Sequence, residues 1–195
     1  IGDMSVLGDL TADLSGAKPT ISGKLDFSDL YVDRFMGKDR GGAKGQVYAT
    51  PRKAKGGTDD VKWSKNALNL SWMHNFNLAI EVSAKSLSYA PWLVSDAVSA
   101  VTLQDGVFTV EKLEGGLLDG QADFTGQVVV PKEARQPLQI KSAGMLSNVN
   151  LERLVENFSS SKLLRVKGNA TVDYDVTSTG LSPAALIYDL DGQGT

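Results

Sequence analysis

The stretch Val98–Val130, VSAVTLQDGVFTVEKLEGGLLDGQADFTGQVVV, decides the fold class. Runs rich in Val, Phe, Thr and Leu are separated by Asp105-Gly106, Gly115-Gly116 and Asp119-Gly120, dipeptides that tolerate the positive φ of tight hairpin turns. The spacing predicts four short strands in an antiparallel meander.

The same period of two extends to both sides. Upstream, Phe76, Leu78, Ile80 and Val82 alternate with Asn77, Ala79, Glu81 and Ser83, the mark of a sheet with one wet side. Leu87 and Tyr89 form a second strand that ends before Pro91, where an edge or a turn is needed. Downstream, Leu138 and Ile140 share a face, and Ala170, Val172 and Tyr174 alternate with Asn169, Thr171, Asp173 and Asp175. At the start of the chain Ser5–Leu14 and Thr20–Phe27 read as strands, and Asp29–Phe35 as a short helical turn. Two further helices are marked by their caps. Asn150 precedes apolar Leu151, Leu154, Val155 and Phe158, and Ser182-Pro183 opens Ala184–Tyr188. The final residues, Asp191–Thr195, have the punctuation of a turn, so the chain is expected to be a piece of something longer.

Between residues 37 and 60 the character changes. Lys38, Arg40, Lys44, Arg52, Lys53 and Lys55 sit among glycines with few apolar residues, too little to order the segment by burial, so it is expected to be a flexible basic loop. Its charge suits either a solvated linker or a patch for anionic headgroups. The expected organisation is therefore residues 1–36 as the tail of a preceding β repeat, 37–60 as that loop, and 61–195 as the principal β domain. A weak internal repeat supports the repetition: Ile21–Phe35 aligns with Ile140–Leu154 at a constant offset, each a strand leading into a short helix.

Composition excludes several functions. With 42% apolar residues and a net charge of -3, the chain is ordinary globular material without the basic face that nucleic acid demands. The absence of Cys removes disulfides, thiolate metal sites and a Cys nucleophile. The single histidine, His74, stands among Trp72, Met73 and Phe76, the setting of a satisfied structural histidine, and no triad or zinc site can be assembled around it. Asp59-Asp60, Asp173 with Asp175, and Asp189 with Asp191 read as solvated carboxylates. No phosphate-binding glycine loop is present, because the glycines occupy turns. The expectation is a protein that is not an enzyme and needs no cofactor or metal.

The residues resemble the AsmA family, large proteins of Gram-negative envelopes with TamB-like relatives. The resemblance rests on Asn69–Leu78 as an entry helix running into a strand, Leu103–Val110 as a hairpin and Gly115–Gly120 as a paired-glycine turn. Val149-Asn150-Leu151, Gly180-Leu181-Ser182-Pro183 and Gly192-Gln193-Gly194 follow as closing signals. It covers about Asp60 to the end, and the order and spacing of these motifs carry it. What it implies is a periplasmic protein held in the inner membrane by an N-terminal anchor that this chain lacks. Such a protein would carry phospholipid acyl chains along a groove, support outer-membrane biogenesis, and engage outer-membrane or other envelope proteins.

The implied fold is mainly β, a repetitive antiparallel sheet curled into a U-shaped, taco-like groove with short helices. Acyl chains would lie on its apolar side, where transfer from water is favourable by about 0.8 kcal/mol per methylene. The candidate lipid-binding residues are Phe76, Leu78, Ile80, Val82, Val101, Leu103, Phe108, Val110, Phe124, Val128, Val130, Ile140, Val172 and Tyr174. Periodicity alone favours a closed β-sandwich, in which these residues pack against one another with no cavity; the resemblance reverses that preference. A scaffold module that binds partner proteins by adding strands at an open sheet edge is the functional counterpart of that alternative.

Overall fold

The computed structural model describes residues 5–32, 63–89, 92–133, 136–158 and 166–195. The basic stretch 37–60, Asp33–Phe35 and Pro91 lie outside the described residues, as do the loop and helical turn expected there. Nine strands form one sheet in chain order: β1 (Val6–Asp13), β2 (Thr20–Tyr31), β3 (Asn77–Tyr89), β4 (Trp92–Gln104), β5 (Val107–Leu117), β6 (Gly120–Val129), β7 (Leu138–Asn150), β8 (Asn169–Gly180) and β9 (Asp191–Gly194). Every neighbouring pair is antiparallel except β2 and β3, which run parallel. Among the described residues two short helices, α1 (Leu151–Phe158) and α2 (Pro183–Tyr188), and a 3-10 turn at Ser71–His74 accompany the sheet. The fold is mainly β, the sheet does not close into a barrel, and no second sheet faces it among the described residues.

The central stretch forms three strands, β4 to β6, in place of four. Asp105-Gly106 is a two-residue turn with both φ angles positive, as its chemistry demands. The next turn is Leu118-Asp119, again with positive φ at both positions, and Gly120 begins β6. Gly115 and Gly116 lie inside β5. At Gly115 a Cβ would fall 2.8 Å from the Ser95 carbonyl oxygen and 3.3 Å from the Ala97 Cα, so the glycine permits close approach of β4 and turns nothing. Residues 29–31 continue β2, where a helical turn is expected from sequence. The two strands anticipated between Phe76 and Pro91 are a single β3, and Asp191–Gly194 is the edge strand β9.

Both caps form. The Asn150 side-chain oxygen accepts from the backbone N–H of Glu152 at 3.0 Å and of Arg153 at 3.3 Å, and the Ser182 hydroxyl accepts from the Ala185 N–H at 3.2 Å ahead of Pro183. Arg153 reaches back to Asp119 at 2.8 Å, joining α1 to the β5–β6 turn. On α2 the carbonyl of Leu186 accepts a 2.5 Å hydrogen bond from the buried Ser178 hydroxyl of β8.

The parallel pair imposes a long return. Thr20 lies opposite Asn77 and Tyr31 opposite Ser88, so the chain leaving β2 must travel back along the whole strand, roughly 40 Å at about 3.3 Å per residue. The described end of this connection, residues 63–76, is a strap across the strand ends. The Ala184 N–H donates to the Ser64 carbonyl at 2.9 Å and the Leu68 N–H to the Leu181 carbonyl at 2.8 Å, beside β8. At the other end the Asn77 N–H donates to the Pro19 carbonyl at 2.8 Å, beside β2. Beneath the strap sits the main core, buried Met73, Leu103, Val130 and Leu138 with Leu68, Leu70, Phe76, Leu78, Phe108 and Val128 packed around them.

Leu103 is 2% exposed in this core, so Leu103→Ala should destabilise the protein by about 2–5 kcal/mol, read from urea unfolding. Gly106→Ala should cost more than about 1 kcal/mol, because an L side chain is strained at its positive φ and its Cβ would meet the His74 ring. A second expectation concerns pH. The Lys18 ammonium, hydrogen-bonded to Asp105 and attracting it, holds the Asp105 carboxyl below its ordinary value of 3.8. A lowered native pKa means that the unfolded chain binds the proton more readily. The stabilisation is then complete above that ordinary value and disappears as pH falls through the lowered one. The gap in urea midpoint between the parent and Asp105→Asn should be present at neutral pH and vanish in strong acid; a gap that persists in acid contradicts the linkage.

Candidate functional site

Register assigns every strand residue to one of two faces, because residues opposite one another in a ladder project to the same side and successive residues alternate. One row across the sheet reads Ala12, Ile21, Leu78, Leu103, Phe108, Val128, Ile140 and Ser178 from β1 to β8. The next row on the same face reads Leu10, Gly23, Ile80, Val101, Val110, Gly126, Ser142, Val176 and Gly192, and a third Gly8, Leu25, Val82, Ser99, Leu113, Phe124, Gly144, Tyr174 and Gly194. Leu146 and Val172 lie in a fourth. Phe76 and Val130 continue the alternation of β3 and β6 just beyond the strand ends. All fourteen candidate residues therefore fall on one face.

That face is preserved by bulges. Val110 and Leu113 are three residues apart, which would place them on opposite sides of a regular strand. The ladder slips between them, so Val110 pairs with Gly126 and Leu113 with Phe124, and both remain on the apolar side. The displaced charges, Lys112 and Glu114, pair at 2.6 Å on the other face. A second slip between Leu146 and Val149 does the same in β7, with Asn148 at positive φ. The opposite face carries Lys24, Glu81, Thr102, Thr109, Asp123, Lys141, Asp173 and Asp175; Lys24 and Glu81 are 2.6 Å apart.

The fourteen residues divide by what covers them. Leu103 and Val130 are buried in the core, and Phe76, Leu78, Phe108 and Val128 pack against it beneath the strap. Ile80, Val82, Val101, Val110, Phe124, Ile140, Val172 and Tyr174 are only half-buried and outside that core. Two aromatic rings lie over glycines here: a Cβ on Gly126 would stand 3.1 Å from the Phe124 ring, and one on Gly144 3.0 Å from the Tyr174 ring. The rings cover backbone that glycine leaves bare.

Where the strap meets the sheet there is a pocket of about 350 Å³, lined by Leu68, Leu70, Trp72 and Met73 of the strap, Phe108, Val128, Leu138 and Ile140 of the sheet, and Leu186 of α2. Sequence periodicity could not have found it, since five of its nine residues lie outside any strand and four of those reach the sheet only through the long connection. Trp72 is 49% exposed at its margin and stacks on Phe76 with ring centroids 5.9 Å apart.

His74 differs from the sequence expectation. Its ring packs over Gly106, but both ring nitrogens are buried without a hydrogen-bond partner, so it is not the satisfied histidine anticipated. The free face of a hairpin glycine admits the flat ring, and packing there leaves both nitrogens without a hydrogen-bond partner. Among the described residues no group of three or more His, Asp or Glu side chains is placed to hold a metal ion, and no helix is long and apolar enough to cross a membrane.

No curated protein and no solved structure matches the chain. A family match does, and it extends over residues 4–194, taking in β1 and β2 as well as the region that carries the sequence motifs. A sheet of this make-up matched along nearly its whole length identifies the chain as a member of the AsmA family.

Proposed function

We propose that this chain is a segment of a non-enzymatic periplasmic carrier, anchored to the inner membrane elsewhere in the full-length protein, that holds phospholipid acyl chains on the apolar face of its sheet and so supports outer-membrane biogenesis. The observation that carries the reading is the confinement of all fourteen apolar candidates to one face, eight of them half-buried and outside the core. A soluble sheet normally covers such a face with another layer. Curling the sheet into a U would instead shelter acyl chains inside it and leave the charged face in water. Eight strand spacings of about 4.8 Å give such a groove roughly 40 Å of length, so the chain would be one section of a longer conduit. Family membership is consistent with a role in envelope biogenesis or lipid transport.

One observation favours a second reading, an assembly module. The edge strand β1 is exposed along its entire length, with Leu7 76% and Leu10 53% exposed, and an open edge can accept a partner's strand. It is not uncharged, however: Asp9 and Asp13 lie within it, and edge charges of this kind oppose strand addition.

Native mass spectrometry with lipid extraction, on the chain purified from envelope without detergent, tests the carrier reading. Phospholipid should co-purify, and Val110→Asp or Phe124→Arg should lower its occupancy at least several-fold while circular dichroism and the urea midpoint stay close to the parent. A folded chain free of lipid, or variants that unfold outright, would support the packed-core and partner-binding reading instead.

A further inference from the structure

We infer that the pocket between the strap and the sheet is a discrete site for the methyl-terminal part of a single hydrocarbon chain; the inference rests on the carrier reading and specifies where on the apolar face a chain is held. The pocket has two walls of different origin, strap residues Leu70 and Trp72 on one side and sheet residues Phe108, Val128 and Ile140 on the other. Its back is formed by Met73 and Leu138, both buried in the core. A volume of about 350 Å³ lies at the small end of ligand pockets, which run from about 300 to 1,000 Å³, and suits one chain end and not a whole two-chain lipid.

The lining chooses the chemistry. None of the nine side chains carries a charge, and the one hydrogen-bond donor among them is the indole N–H of Trp72, a residue half exposed at the margin, so the pocket offers no ion pair to a carboxylate or phosphate. The strand amides beneath are engaged in their ladders. A polar headgroup brought into the pocket would lose its hydration without replacement, whereas methylene and methyl groups gain from transfer at every position. The site also borders the wider apolar face: Phe108, Val128 and Ile140 pair across β5, β6 and β7, and the next row on the same side is Val110, Gly126 and Ser142. A chain lying along the face can thus enter tail-first while its headgroup remains outside. Strap and α2 are tied together by the backbone bonds at Ser64 and Leu68, which keeps the second wall in place.

Trp72 supplies the test, because it borders the pocket and its fluorescence is quenched by bromine at contact. In the double variant Trp63→Phe/Trp92→Phe, Trp72 is the remaining tryptophan. Palmitic acid brominated at its terminal carbon should quench it several-fold more than palmitic acid brominated beside the carboxyl. Val128→Phe, which fills the pocket from the sheet, or Leu70→Phe, which fills it from the strap, should abolish the difference. If the double variant does not fold, the reciprocal Trp72→Phe in the parent chain should remove the position-dependent part of the quenching. Equal quenching by both probes, or a difference that survives both filling variants, overturns the pocket assignment. Phospholipid still retained by native mass spectrometry would then leave the carrier reading intact, while loss of all lipid from the parent chain would sink both.

Discussion

Everything in this protein depends on keeping register parity across nine strands. A slip of one residue in any ladder would turn a strand's apolar set to the charged side and bring Lys24, Glu81 or Asp173 onto the apolar one. With no second sheet among the described residues to correct it, each strand must be read against its neighbour, and the tight two-residue turns at Asp105-Gly106 and Leu118-Asp119 do that locally by leaving no slack. The bulges at Ser95/Val98, Val110/Leu113 and Leu146/Val149 are places where the sequence departs from period two, and the ladder absorbs the extra residue so that the face is kept. Segregation of apolar from polar side chains over so many strands is thus a property of the pairing, and of no single residue.

The core is placed by a different constraint. Parallel pairing of β2 with β3 forces the intervening chain to return across the sheet, and the last part of that return becomes the strap. Leu68, Leu70 and Met73 come down on Leu103, Val130 and Leu138 and make a border of the apolar face that is packed as a protein interior. Away from the strap the same face holds Ile80, Val101, Val110 and Phe124 half-buried. The contrast between a closed core and an open groove is therefore partly a false one: the strap gives this face a packed border, Ala84, Ala97 and Val149 are buried toward the opposite strand ends, and the middle is left half-covered.

Much of this was legible in the sequence, and the misses have physical causes. Alternation of apolar and polar residues is a direct record of facing, so Phe76 through Tyr174 could be assigned to one side before any pairing was known. Ser182-Pro183 and Asn150 announce helices because a cap is a local interaction between neighbours. Leu118-Asp119 could not be read as a turn, since a leucine at φ 51° violates the steric preference on which such readings rest. The paired glycines at 115 and 116 mimic a turn because close strand approach and positive φ both favour glycine. Period two is the same for parallel and antiparallel neighbours, so the direction of β3 against β2 was invisible, and with it the strap and its pocket.

The parallel junction also orders assembly in time. From β3 to β9 each strand finds its partner in the preceding one, by short loop closures, whereas Thr20 must wait for Asn77 and Leu68 for Leu181. Contacts of such long sequence separation carry the largest loop-closure entropy and form late. The β1–β2 hairpin is accordingly the last part of the sheet to join, onto a meander whose own ladders close without it. A sheet built this way can lose β1 and β2 together through a local, sub-global unfolding event while the ladders from β3 to β9 stay paired.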